Sequence, residues 1–321
     1  MSEFHVEVVE MRSIEPHPNA DALEITRVRG EYPVCIRKGE FKPGDRAVYL
    51  PVDSIVRTDG PFAFLGPAPT ARIKAKRLRG VFSMGLLIPA DPAWPVGANV
   101  QTELGVEKYE PEQHLTTSGE DEADPGFLPV YTDIEGFRRH PNVLRDGERV
   151  VITEKIHGTN GRWLHRDGRL WVGSHKRIKR KDETNLWWRA AKQYSLAERL
   201  EPYSGIAIYG EVFGQVQDLK YGAAQGEIKL ALFDAMDTRT REYLNADAFF
   251  RLAERLCLPT VPVLYRGPWS RSLLELAEGK STIAGHVREG FVVRPVEERF
   301  EHMGRVILKM VGEGYLTRKG G

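Results

Sequence analysis

Hydrophobic and polar positions change their rhythm about a third of the way along the chain. Up to about residue 110 the apolar residues come in short alternating runs, such as Phe4-His5-Val6-Glu7-Val8-Val9, Ala47-Val48-Tyr49-Leu50 and residues 81–88. A period of two puts every second side chain on one face of a strand. Turn-forming residues split the runs, among them Pro16, Pro18, Asn19, Gly39, Gly44, Gly66 and Gly80. Many short strands at this spacing predict a small all-β barrel or sandwich. Residues 116–126 (TTSGEDEADPG) are acidic and nearly without apolar side chains. They predict a linker between a first domain at 1–115 and a second at 127–321.

Beyond that point the pattern mixes. Residues 149–156 (RVVITEKI), 170–173, 206–209, 229–233, 291–293 and 305–311 read as strands. Residues 184–200 place Leu186, Trp187, Ala190, Ala191, Tyr194, Ala197 and Leu200 at helical spacing, with Asp182 and Thr184 as candidate caps. Residues 246–256 and 273–277 also read as helices. The second domain is therefore expected to be α+β, with mixed or antiparallel sheets.

Composition narrows the class. Of 321 residues 41% are hydrophobic and 28% charged, enough to bury a core, and the net charge of +1 means that a polyanion would have to meet local basic patches. Two distant cysteines, Cys35 and Cys257, exclude a disulfide scaffold and a zinc finger and suggest a reducing cytoplasm. The opening MSEFHVEVVEMRS lacks the apolar core of a signal peptide, and no window approaches the ~18 apolar residues of a membrane span.

The candidate chemistry centres on Glu154-Lys155-Ile156-His157-Gly158-Thr159-Asn160, at the end of a predicted strand. A lysine leaving a strand into a Gly-Thr turn is aimed by rigid backbone. Gly158 would let a phosphate approach, with Thr159, Asn160 and nearby amides as donors. Lysine is nucleophilic only when neutral, and a free pKa of about 10.4 makes neutrality at pH 7 cost roughly 4–5 kcal/mol. Burial, nearby cations or a metal complex lower that cost, so a depressed pKa is expected. Such an amine can attack the α-phosphorus of a nucleoside triphosphate and form a lysyl phosphoramidate. From this segment alone, a lysine snorkelling to solvent is the open alternative.

Further pieces follow in order: Ser174-His175-Lys176-Arg177, Tyr209-Gly210-Glu211-Val212-Phe213-Gly214, Leu230-Ala231-Leu232-Phe233-Asp234, Glu289-Gly290-Phe291-Val292-Val293 and Val306-Ile307-Leu308-Lys309-Met310. Singly, Phe233 and Val292 read as core, Glu211 as a surface acid and Glu289-Gly290 as a turn. In this order, headed by EKIHGTN, they resemble the motifs of the covalent nucleotidyltransferases: DNA ligases, RNA ligases and capping enzymes. His157 in place of an aspartate resembles the RNA ligases that seal duplex nicks. The resemblance implies Lys155 as nucleophile and His157 as a residue that positions the polynucleotide end. It implies Glu154 as the adenine-specifying residue, with Gly158 and Asn160 beside the nucleotide. One of His175, Lys176 and Arg177, taken as Lys176, would grip ribose or phosphate. Glu211 and Glu289 would contact the nucleotide and hold Mg²⁺ or Mn²⁺, Phe233 and Val292 would sandwich adenine, and Lys309 would touch the α-phosphate. Many relatives carry a K-x-K pair at the last motif, where this chain has Lys309 alone. ATP is the implied cofactor.

The segment Pro16-His17-Pro18-Asn19-Ala20-Asp21 resembles the opening of OB-fold modules that bind RNA. An OB-like module in front of a ligase domain resembles the Deinococcus-type RNA ligases over essentially the whole chain. The implied fold class is α+β: an N-terminal OB-like β-barrel, then a ligase-type nucleotidyltransferase domain with mixed or antiparallel sheets. Arg72, Lys74 and Lys76 alternate, and on one strand they would share a face that follows a phosphate backbone; a protected sheet edge is the other reading. Arg177 lies in a second basic run, residues 176–181 (KRIKRK), which reads either as a solvated loop or as a grip on the 5′-phosphate strand. The implied partner is a nicked duplex with an RNA 3′-hydroxyl end, handled by a monomer with no membrane. A non-catalytic RNA-binding protein in a ligase-like shell and a cap guanylyltransferase are the alternatives.

Overall fold

The computed structural model describes residues 4–109 and 121–318. These form two compact units: residues 4–109, 135–142 and 313–318 make the first, and residues 121–134 and 143–312 the second. Residues 135–142 and 313–318 thus depart from the continuous block expected at 127–321. Residues 116–120 of the expected linker lie outside the described residues. Its continuation opens with a strand, Asp121–Glu122, antiparallel to Ile178–Lys179, and residues 123–126 are irregular. Charge holds the strand there, with Asp121 at 2.7 Å from Lys179 and 3.1 Å from Arg177.

The first unit is built mainly of short strands. Arg46–Leu50 pairs antiparallel with Glu7–Glu10 on one side and Leu86–Pro89 on the other. Its apolar residues alternate between two cores. Val48 and Leu50 join Val8, Val56 and Ile88, whereas Ala47 and Tyr49 join Val9, Val34 and Leu87. Burial on both faces is why this run is continuously apolar. The expected strand at 81–88 is two strands, Val81–Ser83 and Leu86–Pro89. Gly85 separates them with φ +88°, and a Cβ there would strike the Leu50 carbonyl and the Tyr49 ring.

The second unit carries two largely antiparallel sheets. One runs, in spatial order, Asp121–Glu122, Ile178–Lys179, Arg169–Ser174, Thr159–Arg166, Ile206–Gly214, Ile228–Asp237 and Glu242–Tyr243. The other contains, in order, Leu308–Val311, Gly290–Pro295, Arg149–Glu154 and Val263–Pro268. Helices Leu186–Gln193, Leu196–Leu200 and Ala246–Arg255 pack on the first sheet, burying Leu186, Leu196 and Phe249 against Trp163, Ile208 and Leu230.

Three local expectations change. The helix expected at 184–200 is two helices, because Ser195 adopts a left-handed φ of 48°. Its cap is Asn185, whose side chain accepts from the Trp187 and Trp188 amides; Asp182 accepts instead from Thr184. Residues 273–277 belong to a 3₁₀ helix, Arg271–Ala277. Thr159–Arg166 is a strand that the pattern does not predict. Arg162 at its middle is fully buried and donates to the Ser174 and Leu128 carbonyls. Tertiary acceptors make a charge tolerable there and so hide the strand's alternation.

Candidate active site

The strand Arg149–Glu154 ends immediately before Lys155, and the chain stays pinned past its end. The Glu154 amide donates to the Pro262 carbonyl at 2.8 Å and the Lys155 amide to the Gly290 carbonyl at 3.0 Å. Lys155 Nζ lies 2.8 Å from Glu289 Oε1, with 27% of the lysine side chain exposed. Glu289 directly precedes Gly290–Pro295, the neighbour of the lysine strand, so two adjacent strands deliver the pair. Gly290 has φ +148° and sits where a Cβ would collide with the Met310 carbonyl.

The other sheet supplies Glu211, directly opposite Asn160 in register. Opposed residues of an antiparallel pair share a face, and both reach one cleft. That cleft is lined by Glu154, Lys155, Asn160, Glu211, Phe233 and Val292 together with Tyr131, Arg294 and Ile307. The Phe233 ring meets the edge of Tyr131 at 4.9 Å, and Phe233 and Val292 pack on the same apolar cluster. Lys309 is opposite Val292 in register, which puts it on that cleft-lining face.

The electrostatics revise one expectation. Burial pulls the Lys155 pKa down, but the charges of Glu289 and Glu211 outweigh it and hold the amine above the ordinary lysine value. Here lysine is kept charged by its acids, not stripped by burial. Glu211 is pushed up to about 8, chiefly by burial, with Lys155 pulling the other way and Glu289 adding to the rise. Glu154 Oε1, Asn160 Oδ1 and Glu289 Oε2 are buried and make no hydrogen bond. Each such acceptor costs about 1–3 kcal/mol until a donor or cation meets it. Among the described residues no three His, Cys, Asp or Glu side chains form a ready-made metal cage. The acids present nevertheless fit a hard divalent cation that keeps waters and shares phosphate oxygens: Glu211 and Glu289 are oxygen donors, and one Glu289 oxygen lacks a partner.

The other sequence candidates divide. His157 stands beside the acids, with Nδ1 at 3.7 Å from Glu289 Oε2 and Nε2 at 2.7 Å from Asp218 Oδ1. Its amide donates to the Tyr221 hydroxyl at 2.7 Å. No motif flags Asp218, whose proximity arises only from folding. Gly158 is required for a reason other than phosphate access: a Cβ would strike the Val212 carbonyl and crowd Phe213 and Glu211. Lys176 is exposed and does not line the cleft, and Arg177 pairs with Asp121 at 3.1 Å.

Arg72, Lys74 and Lys76 belong to the first unit and do not share one strand. Thr70–Arg72 and Lys76–Leu78 are separate. Arg72 donates to Asp53 at 2.8 and 3.0 Å and stacks on Tyr109 at 3.6 Å. It is therefore committed inside its own unit, while Lys74 and Lys76 are exposed.

A strand-built unit and a two-sheet unit whose cleft holds a lysine beside acidic side chains are features of the ligase class of protein. A family model described as RNA ligase matches residues 148–311, more than half of the chain, and the chain belongs to the RNA ligase family. An OB-fold domain model matches residues 5–90. Among solved structures the chain is similar to Naegleria gruberi RNA ligase with PPi, at 26% identity and a TM-score of 0.85, covering 98% of each chain. It is similar to a glutamate-to-alanine variant of that ligase with ATP and Mn, at 27% identity and a TM-score of 0.84 over 98% of each chain. A further variant with AMP and Mn gives 26% identity and a TM-score of 0.84 over 98% of each chain. No curated protein matches in a sequence comparison. Among the described residues no helix is long and apolar enough to cross a membrane.

Proposed function

We propose that this chain is an ATP-dependent RNA ligase that joins a 3′-hydroxyl RNA end to a 5′-phosphate end through a covalent lysyl-AMP. The observation that carries the reading is the Lys155 amine. It opens on a cleft with an aromatic and a branched side chain in its walls, 2.8 Å from Glu289 and within the field of Glu211. The Naegleria structures with ATP and Mn, AMP and Mn, and PPi support the same set of nucleotides and a divalent cation here.

In this reading Lys155 loses a proton, its nitrogen bonds to the α-phosphorus of ATP and pyrophosphate leaves. A 5′-phosphate oxygen then displaces Lys155 from AMP, and a 3′-hydroxyl displaces AMP to complete the phosphodiester. Phe233 and Val292 hold the base, Glu154 meets its edge, and Gly158 and Asn160 border the nucleotide. Lys309 offsets phosphate charge, and His157 orients the end to be joined. Glu211 and Glu289 would hold Mg²⁺ or Mn²⁺. A bound cation would supply positive charge that offsets charge at the transferring phosphoryl group. The substrate is a nick in a duplex, contacted through Lys74, Lys76 and Arg177, and the protein works in the cytoplasm as a monomer in nucleic-acid repair.

Incubation with radiolabelled ATP or GTP, followed by denaturing gel electrophoresis, tests this. ATP should leave label on the chain, and Lys155→Ala should abolish it. The Lys155→Ala protein should still seal a strand supplied with a preformed 5′-adenylate, because that step needs no lysyl bond. Label from GTP alone would point to capping, and no label at all to a binding protein.

A further inference from the structure

Glu154 is 1% exposed, yet only one of its oxygens is satisfied. Oε2 accepts from the Thr282 amide at 2.9 Å and the Thr282 hydroxyl at 2.6 Å, with Arg288 Nε 3.8 Å away. Oε1 makes no hydrogen bond, and Glu154 lines the cleft beside Lys155, Phe233 and Val292.

Thr282 stands on a loop closed by its own hydrogen bonds. The Ser281 amide donates to the His286 carbonyl at 2.7 Å, the Ile283 amide to Ser281 Oγ at 3.1 Å and the Arg288 amide to the Gly279 carbonyl at 2.9 Å. The Arg288 guanidinium donates to the Leu276 and Lys280 carbonyls at 2.7 and 2.8 Å. Thr282 is thus a fixed post. Two donors on one oxygen set the rotation of the carboxylate, and with it the direction of the unpartnered oxygen.

We propose that Thr282, on its Arg288-braced loop, is a positioning residue that sets base selectivity by fixing Glu154 Oε1 to accept from an exocyclic amine. The inference rests on the nucleotide reading above and names the residue behind its preference for adenine. The 6-amino group of adenine is a donor and meets the bare oxygen. The 6-oxo group of guanine is an acceptor and would face a carboxylate oxygen with no proton between them. A site with a buried polar group waiting for one donor rejects ligands that lack it far more strongly than an apolar slot does.

The test is single-turnover formation of the lysyl-nucleotide with ATP, GTP and purine riboside triphosphate, which lacks the 6-amine. Wild type, Thr282→Ser and the near-isosteric Thr282→Val are compared. In the valine variant the preference for ATP over purine riboside triphosphate should fall about ten-fold or more, the scale of one hydrogen bond to a charged group. That loss should appear in KM for ATP more than in kcat, and Thr282→Ser should restore the preference. An unchanged preference, or an equal loss for all three nucleotides, overturns the proposal. Should the valine variant fail to fold, Thr282→Ala is read by the same ratio. A wild-type chain that labels with no nucleotide is a separate result, and it overturns the ligase reading itself.

Discussion

The Lys155 amine and the Glu289 carboxylate form an ion pair at 2.8 Å across the junction of two neighbouring strands. An amine held by an acid is a resting arrangement. On the reading proposed above, Lys155 as nucleophile and a divalent cation would compete for this one carboxylate, the amine on Oε1 and the cation at the unpartnered Oε2.

Glu289→Gln should expose this competition. Burial lowers the Lys155 pKa and Glu289 is the largest opposing influence, so its removal lets the amine deprotonate at lower pH. Lysyl-nucleotide formation should rise with pH in both proteins and reach half its plateau at lower pH in the variant. Its plateau should be lower by about 10²–10³-fold, the usual cost of losing one preorganised charge partner, and the cation requirement should increase. Rates between pH 6 and 9.5 across a Mn²⁺ series measure all three, and a profile that moves to higher pH would contradict the account.

Glu211 makes the apo protein's stability depend on pH. Its folded pKa is raised to about 8, with burial as the main cause, from an ordinary 4.5. Between those values the folded state binds the proton that the unfolded state has lost. This contribution is fully present below about pH 4.5 and is lost as pH rises through about 8. The melting temperature of the cation-free wild type should therefore decline over this window relative to Glu211→Gln, which has no proton to lose. Parallel melting curves for the two proteins from pH 5 to 9 would sink the assignment.

Contact with nucleic acid should separate the front unit's cations. Lys76→Ala should lower affinity for a nicked duplex and reduce the slope of log K against log salt by about 0.9, the value of one phosphate contact. Arg72→Ala should leave that slope alone and lower the melting temperature instead, because Arg72 is spent on Asp53 and Tyr109. Binding isotherms over a salt series discriminate the two. Equal slope changes would mean that Arg72 leaves Asp53 to meet phosphate.

How much of this was readable from residues alone follows from how far each signal reaches along the chain. Lys155, Glu211, Phe233, Glu289 and Val292 are flagged by motif order, and the sheets bring them to one cleft because each sits on or beside a strand of apolar neighbours. Asp218, Thr282 and Arg288 carry no such flag. They lie on loops whose nearness to His157 and Glu154 is a product of tertiary folding. The strand Thr159–Arg166 is masked by Arg162, whose buried charge finds carbonyls on two other segments. Gly158 signals close approach, but only the fold shows that what approaches is the backbone of Ile206–Gly214. The direction of the Lys155 shift also needs coordinates, since burial and carboxylates push opposite ways.

The residue after Phe233 anchors the wall from behind. Asp234 is fully buried and accepts from the Tyr131 hydroxyl at 2.7 Å. It lies 2.7 Å from Arg305 and 3.4 Å from Arg294, and both guanidiniums also reach Glu298 at 2.6 Å. This network ties the strand of Phe233 to the strand of Val292, because Arg294 is two residues beyond Val292. Replacing one member of a buried ion pair costs about 3–5 kcal/mol, since the other charge is left behind. Glu298 softens that cost, so Asp234→Asn belongs near the lower end, and its melting temperature should fall by roughly 6–12 °C. Tyr131→Phe removes a single hydrogen bond to the same acid and should cost about half as much. Thermal unfolding of the two variants checks the ordering. A Tyr131→Phe protein as unstable as the Asp234→Asn protein would show that the tyrosine's packing against Phe233, and not the ion network, holds this wall.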